Sequence, residues 1–139
     1  MKTTKMKSIY ISLGGFILAI LFANIGYAST SVTFNSNFTA FFNTATTVNI
    51  TSTNSLEATV THRSTSGTRT VNIIPQRRNA GGTWANAGGG HLFASTASQQ
   101  TFVRTWTRTQ LAGAGTYRLS FNANAGSGTI HVGGSFRPR

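Results

Sequence analysis

Arg104, Trp106 and Arg108 alternate along the stretch TFVRTWTRTQ. Arginine beside tryptophan can hold an anion, because the planar guanidinium forks onto phosphate or carboxylate and also stacks on aromatic faces. Arg77 and Arg78 stand close to Trp84 in a second basic–aromatic group, and Arg118 lies in the strand pattern that follows Trp106. Residues for covalent or acid–base work are scarce. Glu57 is the one acidic side chain in the chain, so catalysis by paired carboxylates is excluded. A serine–histidine–acid arrangement would have to orient its base through that same Glu57. With no cysteine, thiol chemistry, cysteine-ligated metal and a disulfide framework are excluded. His62, His91 and His131 stand 29 and 40 residues apart and match no local metal motif. The glycine-rich run Asn79 to Gly90 lacks the Gly-Lys-Ser/Thr ending of a phosphate loop and opens no helix. These residues point to a binding protein that is not an enzyme and needs no cofactor or metal.

The charge has a direction once the first residues are set aside. Lys2, Lys5 and Lys7 precede a mostly apolar run, Ile9 to Ala23, and Gly26 and Ala28 supply small residues before Ser29. That order is the three-part pattern of a secretory signal, so residues 1–28 are expected to be a signal peptide and 29–139 a single exported domain. The apolar run is shorter than the ~20 residues needed to span a bilayer. Nine of the twelve basic residues fall after residue 28, all of them arginine, which leaves a formal +8 against Glu57 alone. Such a surface attracts polyanions and has almost no acid with which to pair internally.

The elements that would position these residues are strands. The region after residue 28 is rich in Thr, Ser, Asn and Gly, and it has no long apolar repeat of helical period. Short alternating runs are separated by turn residues every 8–12 positions or so, as in β-sandwiches and barrels. Val32 and Phe34 share a face, followed by Phe38 and Phe42, with Phe41 on the opposite side. Leu56, Ala58 and Val60 point inward, and so do Val71 and Ile73 after the Ser64–Gly67 turn, so these two strands read as a hairpin. Pro75 marks a strand end or an edge. Arg77 to Gly90 reads as an exposed loop or irregular hairpin displaying Trp84. Thr101 to Phe121 reads as two strands joined by a turn, with Tyr117, Leu119 and Phe121 inward. Ile130 and Val132 close the domain, and Arg137-Pro138-Arg139 reads as a loose tail. The pair GTYRLSF…GTIHVGG is similar to the final hairpin of small exported β-sandwich proteins. The fold expected is an all-β, antiparallel β-sandwich of seven to nine short strands, jelly-roll-like in order.

On the strand holding Arg104, two assignments compete. If Phe102 and Trp106 face inward, the arginines must reach out at the sheet margin. If the threonine face covers the core, an Arg–Trp–Arg strip is exposed. Burying two arginines with so little acid is costly, which favours exposing Arg104 and Arg108; the direction of Trp106 stays open. The function expected is a secreted, cationic binder of an anionic polymer or membrane surface, such as envelope polymer, lipid headgroup, acidic polysaccharide or DNA, with an antimicrobial or toxin-like role as a special case. Its candidate ligand residues are Arg104, Trp106, Arg108, Arg77, Arg78, Trp84 and Arg118. The alternative is a self-assembling subunit of an extracellular fibre or layer. There the Phe-rich start, with Val32, Phe34, Phe38, Phe41 and Phe42, would complete a neighbour's sheet.

Overall fold

A computed structural model describes residues 30–139, and the expected signal segment lies outside the described residues. Strands form where the sequence alternates apolar with polar: β1 (Val32–Phe38), β2 (Phe41–Asn43), β3 (Val48–Ile50), β4 (Leu56–Ser64), β5 (Arg69–Arg78), β6 (Trp84–Asn86), β7 (His91–Ser95), β8 (Gln100–Trp106), β9 (Gly115–Ala123) and β10 (Ile130–Pro138). One sheet has the order β1-β10-β4-β8. The other has the order β2-β9-β5-β6, with β3 also on β9 and β7 also on β5, and every pairing is antiparallel. Taking β2 with β3 and β6 with β7 as single positions, each sheet is four positions wide and successive positions alternate between the sheets, except that β5 and β6–β7 are neighbours in one sheet. That is the doubled Greek key of a jelly roll. Ten strands form where seven to nine were expected, because β2 splits from β1 at Thr39-Ala40 and Trp84–Asn86 is itself paired.

The core is the interleaved inner faces of both sheets, with Leu56, Val60, Val71, Ile73, Trp106, Tyr117, Leu119, Phe121, Ile130, Val132 and Phe136 all essentially buried. Phe34 and Phe38 from one sheet meet Phe121 from the other at ring separations of 5.5 and 6.3 Å, and Phe42 lies against Phe121 at 5.8 Å. Such pairs contribute about 0.5–1.5 kcal/mol each beyond the area they bury. Val32 packs partly buried against the same cluster. Four of the five residues expected to complete a neighbour's sheet therefore fill this domain's own core. Phe41 alone points outward, 67% exposed.

Three expected hairpins are not hairpins. β4 and β5, β8 and β9, and β9 and β10 each fall in different sheets. Alternation tells which side chains point inward, but both members of a stacked pair of strands obey it as well as both members of a hairpin. Pro75 also lies inside the central strand β5, opposite Leu119, and not at an end. Its carbonyl accepts from the Ala87 amide, so its proton-less nitrogen faces the same side. That side is the gap where β7 stops opposite Ile73 and β6 begins opposite Gln76, so no ladder bond is lost. The chain crosses this gap at Gly88, where a Cβ would come within 2.7 Å of the Pro75 ring.

The terminal arginines are fixed rather than loose. Arg139 exchanges backbone hydrogen bonds of 2.9 and 2.8 Å with Ser55. The Arg137 Nε and Nη2 donate to Glu57 Oε1 at 3.1 and 2.8 Å, and Arg139 donates to the other carboxylate oxygen. Glu57 is on the outer side of its sheet, as alternation requires, yet only 7% exposed beneath these two side chains. Arg69 is 3% exposed and gives its N–H groups to the Asn124 side chain and to the carbonyls of Thr39, Asn124, Ser127 and Gly128. Backbone oxygens thus stand in for the acids the sequence lacks, and the cationic surface is smaller than the formal charge suggests.

Candidate functional site

The Arg–Trp–Arg ladder does not form a surface strip. β8 ends at Trp106, which lies opposite Leu56 and is wholly buried. Its indole Nε1 donates to the Gly89 carbonyl at 2.7 Å, satisfying the one polar atom that burial would otherwise leave unpaired. The Phe/Trp face is therefore the inner one, and the threonine side is the outer one, with Val103 61% exposed on it. Burial of a large aromatic outweighs the inconvenience to the flanking arginines, because each can reach the margin. Arg104 is half-buried, its guanidinium 5.8 Å from the Trp106 ring, and its Nε is buried without a partner. Arg108 has left the strand for a 3₁₀ turn, Arg108–Gln110, and its Nε donates to the Ser52 carbonyl at 2.7 Å. Trp106 is thus a core residue, and Arg108 ties two loops together.

The second basic–aromatic group is reassembled by the sheet. β5 alternates, so Arg77 and Arg78 point to opposite faces. Arg77 turns to the inner rim, runs past Gly115 and donates to the Ala112 carbonyl. Arg78 points outward and pairs with Trp84 across the β5–β6 ladder. The segment between them is a tight hairpin closed by Asn79 N–H to Thr83 O at 2.8 Å and Gly82 N–H to Asn79 O at 2.9 Å, so Trp84 is displayed from a strand. One rung away, Arg118 of β9, Gln76 of β5 and Asn86 of β6 lie side by side on the same outer face. Arg118 Nε donates to Gln76 Oε1 at 2.9 Å, and Gln76 Nε2 donates to Asn86 Oδ1 at 3.1 Å. From that position the Arg118 guanidinium lies over Trp84, 4.4 Å from the ring centroid. Partial burial lowers the Arg118 pKa, but an arginine so placed remains charged at any physiological pH.

The result is a platform of Trp84, Arg118, Arg78, Gln76 and Asn86 on the outer face of the β2–β9–β5–β6 sheet. Side-chain bonds hold the Arg118 fork in place, and its remaining N–H donors are available to a carboxylate, sulfate or phosphate. Of the seven candidate ligand residues, Trp84, Arg118 and Arg78 come together here. Arg77, Arg104, Trp106 and Arg108 do not. Gln76 and Asn86 were missed, since their part depends on the rung they share with Arg118, which no pattern within one strand reveals.

The outer face of the other sheet carries Thr33, Asn35, Thr59, Thr61, Thr101 and Ser135 between the Glu57–Arg137 pair at one end and Arg63 at the other. A shallow depression of about 340 Å³ lies over Gly133, lined by Asn35, Thr61, Arg63, Gln99 and His131. Among the described residues, no phenylalanine, tyrosine or tryptophan ring projects from that face for stacking. At the flank where β7 meets β8, His62 is buried against Phe93 at 4.4 Å and Phe102 at 5.7 Å, and His91 lies 5.2 Å from Phe102. Burial lowers the pKa of both histidines, and for His91 the neighbouring Arg104 lowers it further.

No family model matches the sequence, and no curated protein matches it. Solved structures share the fold. A structure described as "CBM4 structure and function" superposes with a TM-score of 0.54 at 19% identity, covering 71% of this chain and 61% of that one. The CBM22-1 xylan-binding domain from Paenibacillus barcinonensis Xyn10C gives 0.46 at 8% identity, covering 82% and 86%. Infectious bursal disease virus, Gt strain, gives 0.49 at 11% identity, covering 81% of this chain and 33% of that one. The chain thus spans less than two thirds of the first of these relatives. At 19% identity the likeness to the first is one of fold alone.

Proposed function

We propose that this domain is a secreted, non-enzymatic module that binds an anionic polymer, with acidic polysaccharide the first candidate, through the Trp84–Arg118 platform. The observation that carries the reading is the guanidinium of Arg118 stacked on Trp84 beside Arg78, on a face with no acid. Glu57, the one carboxylate side chain, is on the opposite sheet and engaged by Arg137 and Arg139. An anion reaching the platform therefore meets donors whose internal partners, Gln76 and the Gly82 carbonyl, are uncharged. The tryptophan adds a flat apolar surface on which a sugar ring or base can rest. The sandwich is of a kind that also serves carbohydrate-binding modules, which is consistent with a polymer ligand. With a single, engaged carboxylate there is no acid–base pair for hydrolysis.

The test is retention on immobilised polygalacturonate and dextran sulfate against neutral xylan across a salt series. Retention on the charged polymers should fall steeply with salt. Arg118→Ala and Trp84→Ala should each weaken it by roughly 3–10-fold, the range set by a partly desolvated cation–π contact. Salt-independent retention, or tighter binding to xylan than to the acidic polymers, would overturn the reading. Binding to DNA or anionic vesicles but not to acidic polysaccharide would keep the platform and change the polymer.

A further inference from the structure

The charge is distributed unevenly over the sandwich. From Ser29 to Leu56 there is no charged residue, and this stretch contains β1, β2 and β3. These strands make one whole flank: β1 is the outermost strand of its sheet, and β2 and β3 together form the edge of the other. The charges that come near this flank are already spoken for. Arg69, which reaches the Thr39 carbonyl, is buried under backbone oxygens, and Arg137 is paired with Glu57. Arg78 lies on β5 and Arg118 on β9, the strand next to β2 and β3, and both point to the outer face of that sheet rather than over its edge.

β1 is also an edge with no strand beyond it among the described residues, touched at Thr33 by the Thr46 side chain. It pairs with β10 on one side and with no strand among the described residues on the other. Edges of this kind are normally blunted by lysine, proline, bulges or short length. β1 is seven residues long, VTFNSNF, with no charge and no proline. Its open side can be located. The Thr46 hydroxyl donates to the Thr33 carbonyl at 3.2 Å from the loop beyond β2, so the backbone groups of Thr33 face away from β10. Hydrogen-bonding direction alternates along an antiparallel strand, so those of Asn35 and Asn37 face the open side too.

We infer that this flank is a self-association surface whose occupant is a second copy of the chain, joined through β1 in antiparallel register about a two-fold axis at Asn35. That axis sets Asn35 opposite Asn35 and Thr33 opposite Asn37, so outward-facing backbone groups meet outward-facing groups. The pairing extends the β1–β10–β4–β8 sheet into its counterpart. A second copy fits better than a charged partner because two strongly cationic molecules approach most easily through the side that carries no charge. The exposed Phe41 lies on the same flank. This differs from donation of phenylalanines to a neighbour: the rings stay in their own core, and the edge backbone makes the contact. The inference does not rest on the Trp84–Arg118 platform.

Sedimentation and light scattering of the purified protein, expressed from its complete coding sequence and kept free of polymer, test it over a hundredfold dilution series. A reversible dimer is expected. Asn35→Lys puts two like charges opposite each other at the axis and should raise the dimer dissociation constant by roughly 2–5-fold. Asn35→Pro removes an open-edge amide that β10 does not use and should give a monomer. Thr105→Lys adds the same charge on β8, the opposite edge of the sheet, and should leave the dimer intact. If Asn35→Pro fails to fold, Asn35→Lys and Thr105→Lys still decide. A strictly monomeric parent, a dimer untouched by Asn35→Lys, or one broken equally by Thr105→Lys would overturn the inference. Polymer retention that persists in a monomeric variant leaves the platform standing, so the two readings can fail separately.

Discussion

The two tryptophans have the same flanking chemistry and opposite fates. Both lie near arginines, but Trp106 is fixed in the core by its neighbours and its bond to Gly89, while Trp84 is half-exposed under Arg118. Trp106→Ala should therefore destabilise the fold by roughly 3–5 kcal/mol, as large aromatic truncations in cores do. Trp84→Ala should change stability by less than about 1 kcal/mol and act on polymer binding instead. Urea unfolding of the two variants separates these outcomes. The titratable side chains give a second prediction. The hydrogen bonds from Arg137, then those from Arg139, hold the Glu57 carboxyl below its ordinary 4.5, whereas burial holds the His62 and His91 imidazoles below 6.5. For each group the unfolded chain takes the proton first as the pH falls, so stability is present above the ordinary value and lost below it. Thermal unfolding should show a flat region at neutral pH, a decline beginning near pH 6.5 from the histidines, and a further decline below about 4.5 from Glu57. Glu57→Gln should flatten the lower limb, leave the upper one, and lower stability at pH 7 by roughly 1–3 kcal/mol.

At the level of elements, inward and outward positions could be read from alternation for most strands, and the structure agrees for Leu56, Ala58 and Val60, for Val71 and Ile73, and for Tyr117, Leu119 and Phe121. Pairing could not be read. Here most successive strands go to opposite sheets, β5–β6 being a hairpin, and the loops that cross, such as Ser64–Arg69, use the same Ser, Thr and Gly as hairpin turns. β5 holds the platform together, since it carries Gln76 and Arg78 and pairs with both β6 and β9. Its proline is tolerated because Gly88 lets the β6–β7 connection pass over the ring. Gly88→Ala should cost about 1–3 kcal/mol from overpacking against Pro75. Gly89→Ala, whose Cβ would meet nothing within 4 Å, should be close to neutral. Melting temperatures of the pair check this.

For the whole molecule, the excess of arginine divides into structural and available fractions. Arg69, Arg137 and Arg139 are engaged by carbonyls or by Glu57, and Arg77 and Arg108 hold loops through carbonyls. Arg104 is half-buried beside Trp106, while Arg78 and Arg118 give only their Nε to Gly82 and Gln76, so their remaining N–H groups, with Arg63, are left to meet a partner. The platform lies on the outer face of the β2–β9–β5–β6 sheet, whereas β1 is the edge of the other sheet, so pairing through β1 leaves both platforms uncovered. Two linked platforms engage one long polymer with an effective concentration set by their separation, so weak single-site binding becomes useful avidity.

By itself the sequence determined the class of fold, the inward set of side chains, the cationic character and the poverty of catalytic groups, because each follows from composition or from a period along one strand. Only the tertiary structure decided which arginines are free, which way Trp106 points, and that Arg118, Gln76, Asn86 and Trp84 share a face. Those facts depend on register between strands distant in sequence. They depend also on the balance between burying an aromatic ring and solvating a guanidinium, which is settled at the sheet margin rather than in the order of residues.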